Sequence, residues 1–398
     1  MRAPAPLRTA DWRFVLPIAP DTRFAHLVLL GGSVGVVERA LSLGLADRVA
    51  AALSQPGSAD AVVAYFDAPQ PIERIASAVA AGGVLYLEID RARPGRVSAT
   101  VRRVTTVLAR AGLYVSAIYA VEPDFTVPRA LIALRPSALQ WYRGTFVRGP
   151  TTIATAINAI THPGVWGAER GRGAGVRRFV VVATREPGGA PVPAVLADPA
   201  LTRCLDPARV AQSAVVLTPG GDRVVMFPFA EHDPTPLAVV KVPKTDGFAG
   251  RTENEQGRMR ELRSRVSPTL ARAIPEPRGV FRLGRLLAAC ETSLPGQTLW
   301  SRAQTRSLAL REKIDDLGLA MEWLAAFHLD TEARRVSWRE ARATYLDEPL
   351  HRYGAELGTT REEGLLFTRA REAAGTAEDA ELPLVVQHRD FATWNILR

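Results

Sequence analysis

The sequence predicts an α/β fold in two parts: a doubly wound, mainly parallel sheet over the first half, then an α+β domain that becomes mainly helical. Three observations predict it. Short apolar runs alternate with amphipathic stretches through residues 26–134, the pattern of strands joined by crossover helices. Two apolar runs flanking Pro219-Gly220-Gly221-Asp222 then make a hairpin, which antiparallel pairing allows and parallel pairing does not. Finally, Ile314, Leu317, Met321, Leu324 and His328 recur at spacings of three and four, one stripe of a long amphipathic helix expected to face a core.

Taken in order, residues 26–30 are an apolar strand, Gly31-Gly32-Ser33-Val34-Gly35 a tight turn, and 36–43 the start of a helix. A second strand at 61–66, a helix at 72–80 and a third strand at 84–89, closed by Glu88 and Asp90, continue the alternation. Residues 101–111 are helical. The strands at 114–120 and 130–134 lie close together around Pro123-Asp124 and are expected as the antiparallel edge of the sheet. From Pro150 the pattern loosens into a helix-like stretch, an RG-rich segment at 170–178 and a strand at 178–183. Glu186-Pro187-Gly188-Gly189-Ala190-Pro191-Val192-Pro193 has the composition of a linker. The expected domains are therefore 1–187, a linker at 188–206, and 207–398. In the second, strands at 214–218, 223–227 and 237–242 precede a helix at 252–266, and the remainder reads as mainly helical until a short strand at 384–386.

Composition excludes several classes. With 398 residues, 47% of them hydrophobic, the chain can bury more than one core. No apolar run reaches the roughly 18 residues of a spanning helix, the best being 75–89 with Gly82 and Gly83 inside it, so no membrane partner is expected. Residues 1–14 place Pro and Arg where an export signal carries its apolar segment, which makes a cytoplasmic address the expectation. The net charge of +9 comes almost wholly from Arg, since Lys stands only at 241, 244 and 313; the arginines are spread among 41 acids, so no nucleic-acid partner is expected. Cys204 and Cys290 are too far apart in sequence for metal spacing or a disulfide framework. His26 reads as a core or edge histidine, His232 lies in an acidic loop, His351 is expected in solvent, and no His pair has metal-ligand spacing.

The strongest chemical signal is His388-Arg389-Asp390-Phe391-Ala392-Thr393-Trp394-Asn395. Phosphoryl transfer needs a group to orient the attacking hydroxyl and an oxygen ligand for Mg²⁺, and one loop can supply both: Asp390 for the hydroxyl proton, Asn395 for the metal. A kinase-type site also needs a lysine on a small-domain strand. Leu237-Ala238-Val239-Val240-Lys241 supplies it, and in a chain that uses Arg nearly everywhere a Lys here marks a need for a compact ammonium. Lys244 is expected in solvent at the strand's end. Glu255, Met259 and Leu262 share one helix face, so Glu255 rather than Glu253 is expected to pair with Lys241.

These residues resemble a family. The phrase from Val386 to Leu397 looks like the catalytic loop of the aminoglycoside phosphotransferase and choline kinase family, small-molecule relatives of protein kinases. Trp323-Leu324-Ala325-Ala326-Phe327-His328 is similar to the helix beneath that loop, and Glu291-Thr292-Ser293-Leu294-Pro295-Gly296 to the hinge. The resemblance implies ATP and Mg as cofactors, a hinge holding adenine near Glu291 and Ser293, Gly220-Gly221 covering the phosphates, and a small-molecule hydroxyl acceptor. It divides the region into a small lobe at 207–295 and a partial large lobe at 296–398, since the family carries a further metal-binding acid after the loop and this sequence stops at Arg398. A truncated kinase is the resulting expectation.

Residues 23–135 look like a class I S-adenosylmethionine methyltransferase, on the strand, glycine turn and helix at 26–43, Gly82-Gly83 before a strand, Ala111-Gly112-Leu113-Tyr114, and Val121-Glu122-Pro123-Asp124-Phe125. That implies S-adenosylmethionine binding at the glycine turn. The sequence departs from the pattern where a second strand should end in a ribose-binding acid, because residues 46–58 offer only Asp47, at the wrong end. A degenerate or docking domain and an active methyltransferase both remain open. The turn also spells G-x-S-x-G around Ser33, with His162 downstream, but almost no sheet precedes residue 31 as a nucleophile elbow requires. A non-catalytic scaffold is the alternative of a different class.

Overall fold

The structure is a computed structural model that describes residues 11–32, 35–53, 55–90, 97–122, 125, 130–146, 178–186, 193–205, 210–217, 222–303, 305, 308–376, 380–386 and 396–397. Its first half alternates strand and helix: β1 (Phe24–Leu30), α1 (Val36–Ser42), β2 (Ala46–Ala50), β3 (Ala59–Ala64), α2 (Ile72–Ser77), β4 (Val79–Ile89), α3 (Val97–Arg110), β5 (Tyr114–Glu122), β6 (Ala130–Ala133), α4 (Pro136–Phe146) and β7 (Phe179–Thr184). Strands β2, β1, β3 and β4 run parallel in that order. Buried on both faces, β3 is nearly all apolar, as a covered parallel strand must be. β7 then pairs antiparallel with both β4 and β5.

Three expectations change here. A strand absent from the reading, β2, forms at 46–50; Asp47 and Arg48 break its apolar run, and it exists because Phe24 and Ala46 begin a parallel register along β1. The expected helix at 72–80 stops at Ser77, since Val79 already pairs with Ala59 and Gly82, at φ 71°, carries the bulged chain onward. The pair β5 and β6 is antiparallel but is not an edge. β6 pairs onward with β8 (Ser213–Leu217), through Leu131 opposite Val216.

Past the stretch written as a linker, in which Ala194–Ala197 forms a 3₁₀ turn and α5 spans Pro199–Cys204, the sheet therefore continues. β9 (Arg223–Phe229), β10 (Val239–Pro243), α6 (Ala249–Arg265), α7 (Pro268–Arg272), β11 (Pro277–Leu283), β12 (Leu286–Glu291) and α8 (Leu299–Ala303) follow. The result is one twelve-stranded sheet in the order β11-β12-β10-β9-β8-β6-β5-β7-β4-β3-β1-β2. β8 and β9 form the expected antiparallel hairpin. The β11–β12 hairpin was not expected, the region reading as mainly helical; its turn is made by Gly284 at φ 62°.

The N-terminal segment is sewn into this sheet. Trp12, Phe14, Val15 and Leu16 are buried, and the buried Arg13 is held by Asp11 and donates from Nη2 to the Lys244 carbonyl at 3.1 Å. Asp21 Oδ2 accepts from the Arg285 backbone N–H at 2.5 Å, at the β11–β12 turn. Lys244 is consequently not in solvent: its side chain is buried, its Nζ has no hydrogen-bond partner among the described residues, and burial pushes its ammonium below the ordinary lysine value. His26 is buried on β1, its ring Nδ1 lying 2.8 Å from the Ser58 carbonyl oxygen.

Residues 262–273 and 314–392 form a second compact unit, the sheet belonging to the first. It holds α7, most of α9 (Leu310–Asp330), β13 (Arg334–Ser337), α10 (Trp338–Arg342), α11 (Glu348–Leu357), α12 (Arg361–Gly375) and β14 (Glu381–Leu384), with β13 and β14 antiparallel. The expected inward stripe of α9 is corrected. Ile314, Leu317 and Met321 are more than half exposed, at 58%, 51% and 59%, whereas Asp316, Ala320 and Phe327 are buried. The buried face is turned by about one residue, roughly 100°, from the one the apolar spacing marks. Among the described residues no helix is long and apolar enough to cross a membrane.

Candidate functional site

Alternation along β10 buries Val240 and Val242 and sends Lys241 to the opposite face. The antiparallel registers place Lys241 opposite Val225 of β9 and Ala289 of β12, which brings Arg223 at the start of β9 and Glu291 at the end of β12 to the same side. α6 lays Glu255 over them. Lys241 Nζ donates to Glu255 Oε1 at 2.9 Å and to Glu291 Oε2 at 2.9 Å, and Arg223 Nη1 donates to Glu255 Oε2 at 2.5 Å. Arg251, one turn before Glu255 on α6, closes the group through an ion pair with Asp222. Three cations thus meet three carboxylates.

Burial sets the order of their proton affinities. It works against the Lys241 ammonium, but Glu291 and Glu255 outweigh it and hold that group above the ordinary lysine value. For Glu255 burial is likewise outweighed, by Lys241 and Arg223, and its carboxyl lies below the usual range. Glu291 is the most enclosed of the three side chains, 5% exposed against 21% and 28%, and there burial prevails over Lys241 and raises its carboxyl. One ammonium cannot fully compensate two carboxylates, and the deeper one is left undercompensated.

Beside this cluster is a small concavity, open to solvent and lined by Asp222, Arg223, Lys241, Phe248, Arg251 and Thr252 among others. Cations from three elements converge there, already held in place by carboxylates. Such an arrangement fixes its long cationic side chains before any anion arrives.

Residues 216–398 match the phosphotransferase enzyme family. The matched stretch, a little under half of the chain, contains Lys241, Glu255 and the whole charge cluster. No curated protein matches the chain. Among solved structures, it is similar to a putative sarcosine dimethylglycine methyltransferase from Galdieria sulphuraria, at 12% identity over 43% of this chain and 80% of that one, with a TM-score of 0.21. It is also similar to the complex between the Haloferax volcanii Trm112 methyltransferase activator and the putative methyltransferase, at 14% identity over 42% and 85%, with a TM-score of 0.23. A third similarity is to a possible histamine N-methyltransferase from Thermotoga maritima, at 10% identity over 41% and 82%, with a TM-score of 0.21.

Within the matched segment, Asp390, Asn395, Gly220 and Gly221 lie outside the described residues. Ile396 and Leu397, just beyond, meet α8: the Leu299 N–H donates to the Ile396 carbonyl at 2.9 Å and Leu397 bridges Thr298. Ser293 sits half-buried in the extended chain after β12 and is not among the residues lining the concavity. Glu291, expected at the hinge, has its carboxylate on Lys241 and its backbone between β10 and β11. Sequence reasoning missed this role of Glu291, and missed Asp222, Arg223 and Arg251. The signals were present: Asp222-Arg223 directly follows Gly220-Gly221, and Arg251 stands four residues before Glu255. Among the described residues no group of three or more His, Cys, Asp or Glu is placed to hold a metal.

In the N-terminal turn, the described Gly31 and Gly32 pack closely on Asp67 and Tyr65. The turn lies at the carboxyl end of β1, where the chain order reverses between β2 and β3 and open α/β sheets take ligands. The Gly32 N–H donates to Asp67 Oδ1 at 2.8 Å, and a Cβ added to Gly32 would come within 2.7 Å of the Tyr65 ring. β2 ends on Val49 and Ala50 with no acid, and Asp47 is ion-paired with Arg23. Among the described residues, then, the end of β2 offers no acid of the kind that pairs with a ribose hydroxyl. Ser33 and His162, of the elbow reading, lie outside the described residues.

Proposed function

We propose that this protein is an ATP-dependent phosphotransferase acting on a hydroxyl of a small molecule through the region 207–398. The observation that carries the reading is the Lys241–Glu255 pair, 2.9 Å long, at the wall of a charge-lined concavity inside a segment that matches a phosphotransferase family. In this mechanism Lys241 binds phosphate oxygens of ATP as a point charge. Glu255 and Glu291 keep its ammonium protonated and aimed, and Arg223 and Arg251 add positive charge at the mouth. By resemblance, Asp390 orients the acceptor hydroxyl and takes its proton. Asn395 would hold Mg²⁺, which when bound neutralises charge on the phosphates.

The test is a phosphotransfer assay on the whole chain with ATP and Mg²⁺, offering an aminoglycoside, an amino alcohol and a sugar, beside Asp390→Asn and Lys241→Met. Either change is expected to lower turnover about a hundredfold or more. Turnover indifferent to both would defeat the assignment. ATP with Mg²⁺ should also raise the melting temperature by mass action, and an unmoved transition would leave a scaffold as the better reading. Titration of the chain with S-adenosylmethionine in a calorimeter is expected to show no micromolar binding.

A further inference from the structure

We propose that Cys204 and Cys290 form an oxidation site, closing to an intramolecular disulfide when the protein meets a peroxide. The two are remote in sequence, yet the fold brings them together. Cys204 is the last residue of α5, and Cys290 is the next-to-last residue of β12. The β11–β12 register sets Gly279 opposite Cys290, and opposed residues of an antiparallel pair present their side chains to one face. Gly279 has none to present. A Cβ added there would lie 3.5 Å from Cys204 Sγ, so the Cys204 sulfur lies over the space beside Cys290 that the glycine leaves open. Arg278 Nη1 donates to the Cys204 carbonyl at 3.3 Å and ties the end of α5 to β11.

Exposure divides the labour. Cys204 is half-buried and Cys290 fully buried, so a peroxide reaches Cys204 first. Attack of the Cys204 sulfur on the peroxide breaks the O–O bond, leaving a sulfenic acid and releasing water. The Cys290 sulfur then donates its electron pair to the Cys204 sulfur; the S–O bond breaks, the hydroxide takes the Cys290 proton, and a second water leaves. Two thiols are oxidised and one peroxide is reduced. Burial, reinforced by Cys204, pushes the Cys290 thiol up to about 12, so the second step is slow at neutral pH and accelerates in alkali. Cys290 adjoins Glu291, whose carboxylate sits on Lys241, so the bond would tether the strand end that positions this lysine. That consequence rests on the phosphotransferase reading; the bond itself does not.

The full chain is treated with hydrogen peroxide and digested without reductant. The expected products are a peptide pair joined between 204 and 290, loss of both titratable thiols, and recovery of both with dithiothreitol. Cys204→Ser, at a half-exposed position, should abolish the linked pair while the folded circular-dichroism spectrum stays unchanged. Peroxide that yields Cys204 sulfinic acid with Cys290 still free, or disulfide-linked dimers, would overturn the proposal. ATP thermal shifts on the reduced and linked forms test the coupling separately: linkage without any change in the ATP response removes the tether to Lys241, while an ATP response absent from both forms counts against the phosphotransferase reading alone.

Discussion

At Lys241 a single ammonium serves two carboxylates of unequal depth, and this asymmetry governs what substitutions there should do. Lys241→Met leaves Glu291 buried with no hydrogen-bonded counter-charge, and a loss of about 3 kcal/mol in urea unfolding is expected. Adding Glu291→Gln to that variant should recover most of it; a double mutant as unstable as the single would mean that packing, not charge, sets the cost. The pH response follows from the directions of the shifts. Glu255 is held below its ordinary 4.5, so it binds a proton less readily folded than unfolded; its contribution is complete above that value and vanishes as the pH falls through the folded one. Glu291 is raised, and its contribution has the opposite sign, complete below 4.5 and fading as the pH climbs through its folded value. Glu255→Gln should therefore flatten the acid limb of a stability–pH curve, and Glu291→Gln should flatten the decline above pH 4.5. Of these groups, Lys241 and Glu255 were legible beforehand, because strand alternation and helix spacing are local. The Glu291 contact was not, since it depends on the β10–β12 register.

Helix α9 shows how an element can be recognised and still be oriented wrongly. Spacing located the helix, but several of its residues are apolar beyond the marked stripe, and which face is buried depends on what packs against it rather than on the stripe alone. Phe327→Ala is expected to cost about 3–5 kcal/mol, and Leu317→Glu to stay within about 0.5 kcal/mol, in the same denaturation experiment. The reverse order would restore the 314–328 stripe as the inward face. The β11–β12 hairpin offers a second check. Gly284 adopts φ 62°, and a Cβ there would come within 1.9 Å of Asp21 Oδ1. Gly284→Ala should thus cost about 1–3 kcal/mol and push Asp21 off the Arg285 amide. A neutral result would show that the N-terminal segment yields easily at this point.

On the scale of the molecule, the two expected domains share one sheet, with β6 hydrogen-bonded to β8 across the boundary and Arg13 and Asp21 fastened to the far side. Expressing 207–398 alone would bare the β8 edge and remove the Arg13 and Asp21 contacts to Lys244 and Arg285. Such a fragment is expected to aggregate or to lack a cooperative melt, whereas the full chain melts cooperatively. A soluble fragment with a sharp transition would show the small lobe to be self-sufficient.

The amino-acid order alone specified whatever depends on near neighbours: the alternating first half, the Gly-Gly hairpin, the lysine on its apolar strand, and the helix face bearing Glu255. Its period, its turn residues and its spacing carry that information within a few residues. Joining of two sheets into one, burial of Lys244, the second carboxylate on Lys241 and the meeting of two cysteines were settled by folding. Each arises where segments far apart in the chain come into register, and no local pattern records which distant strand edge or helix face will be the partner.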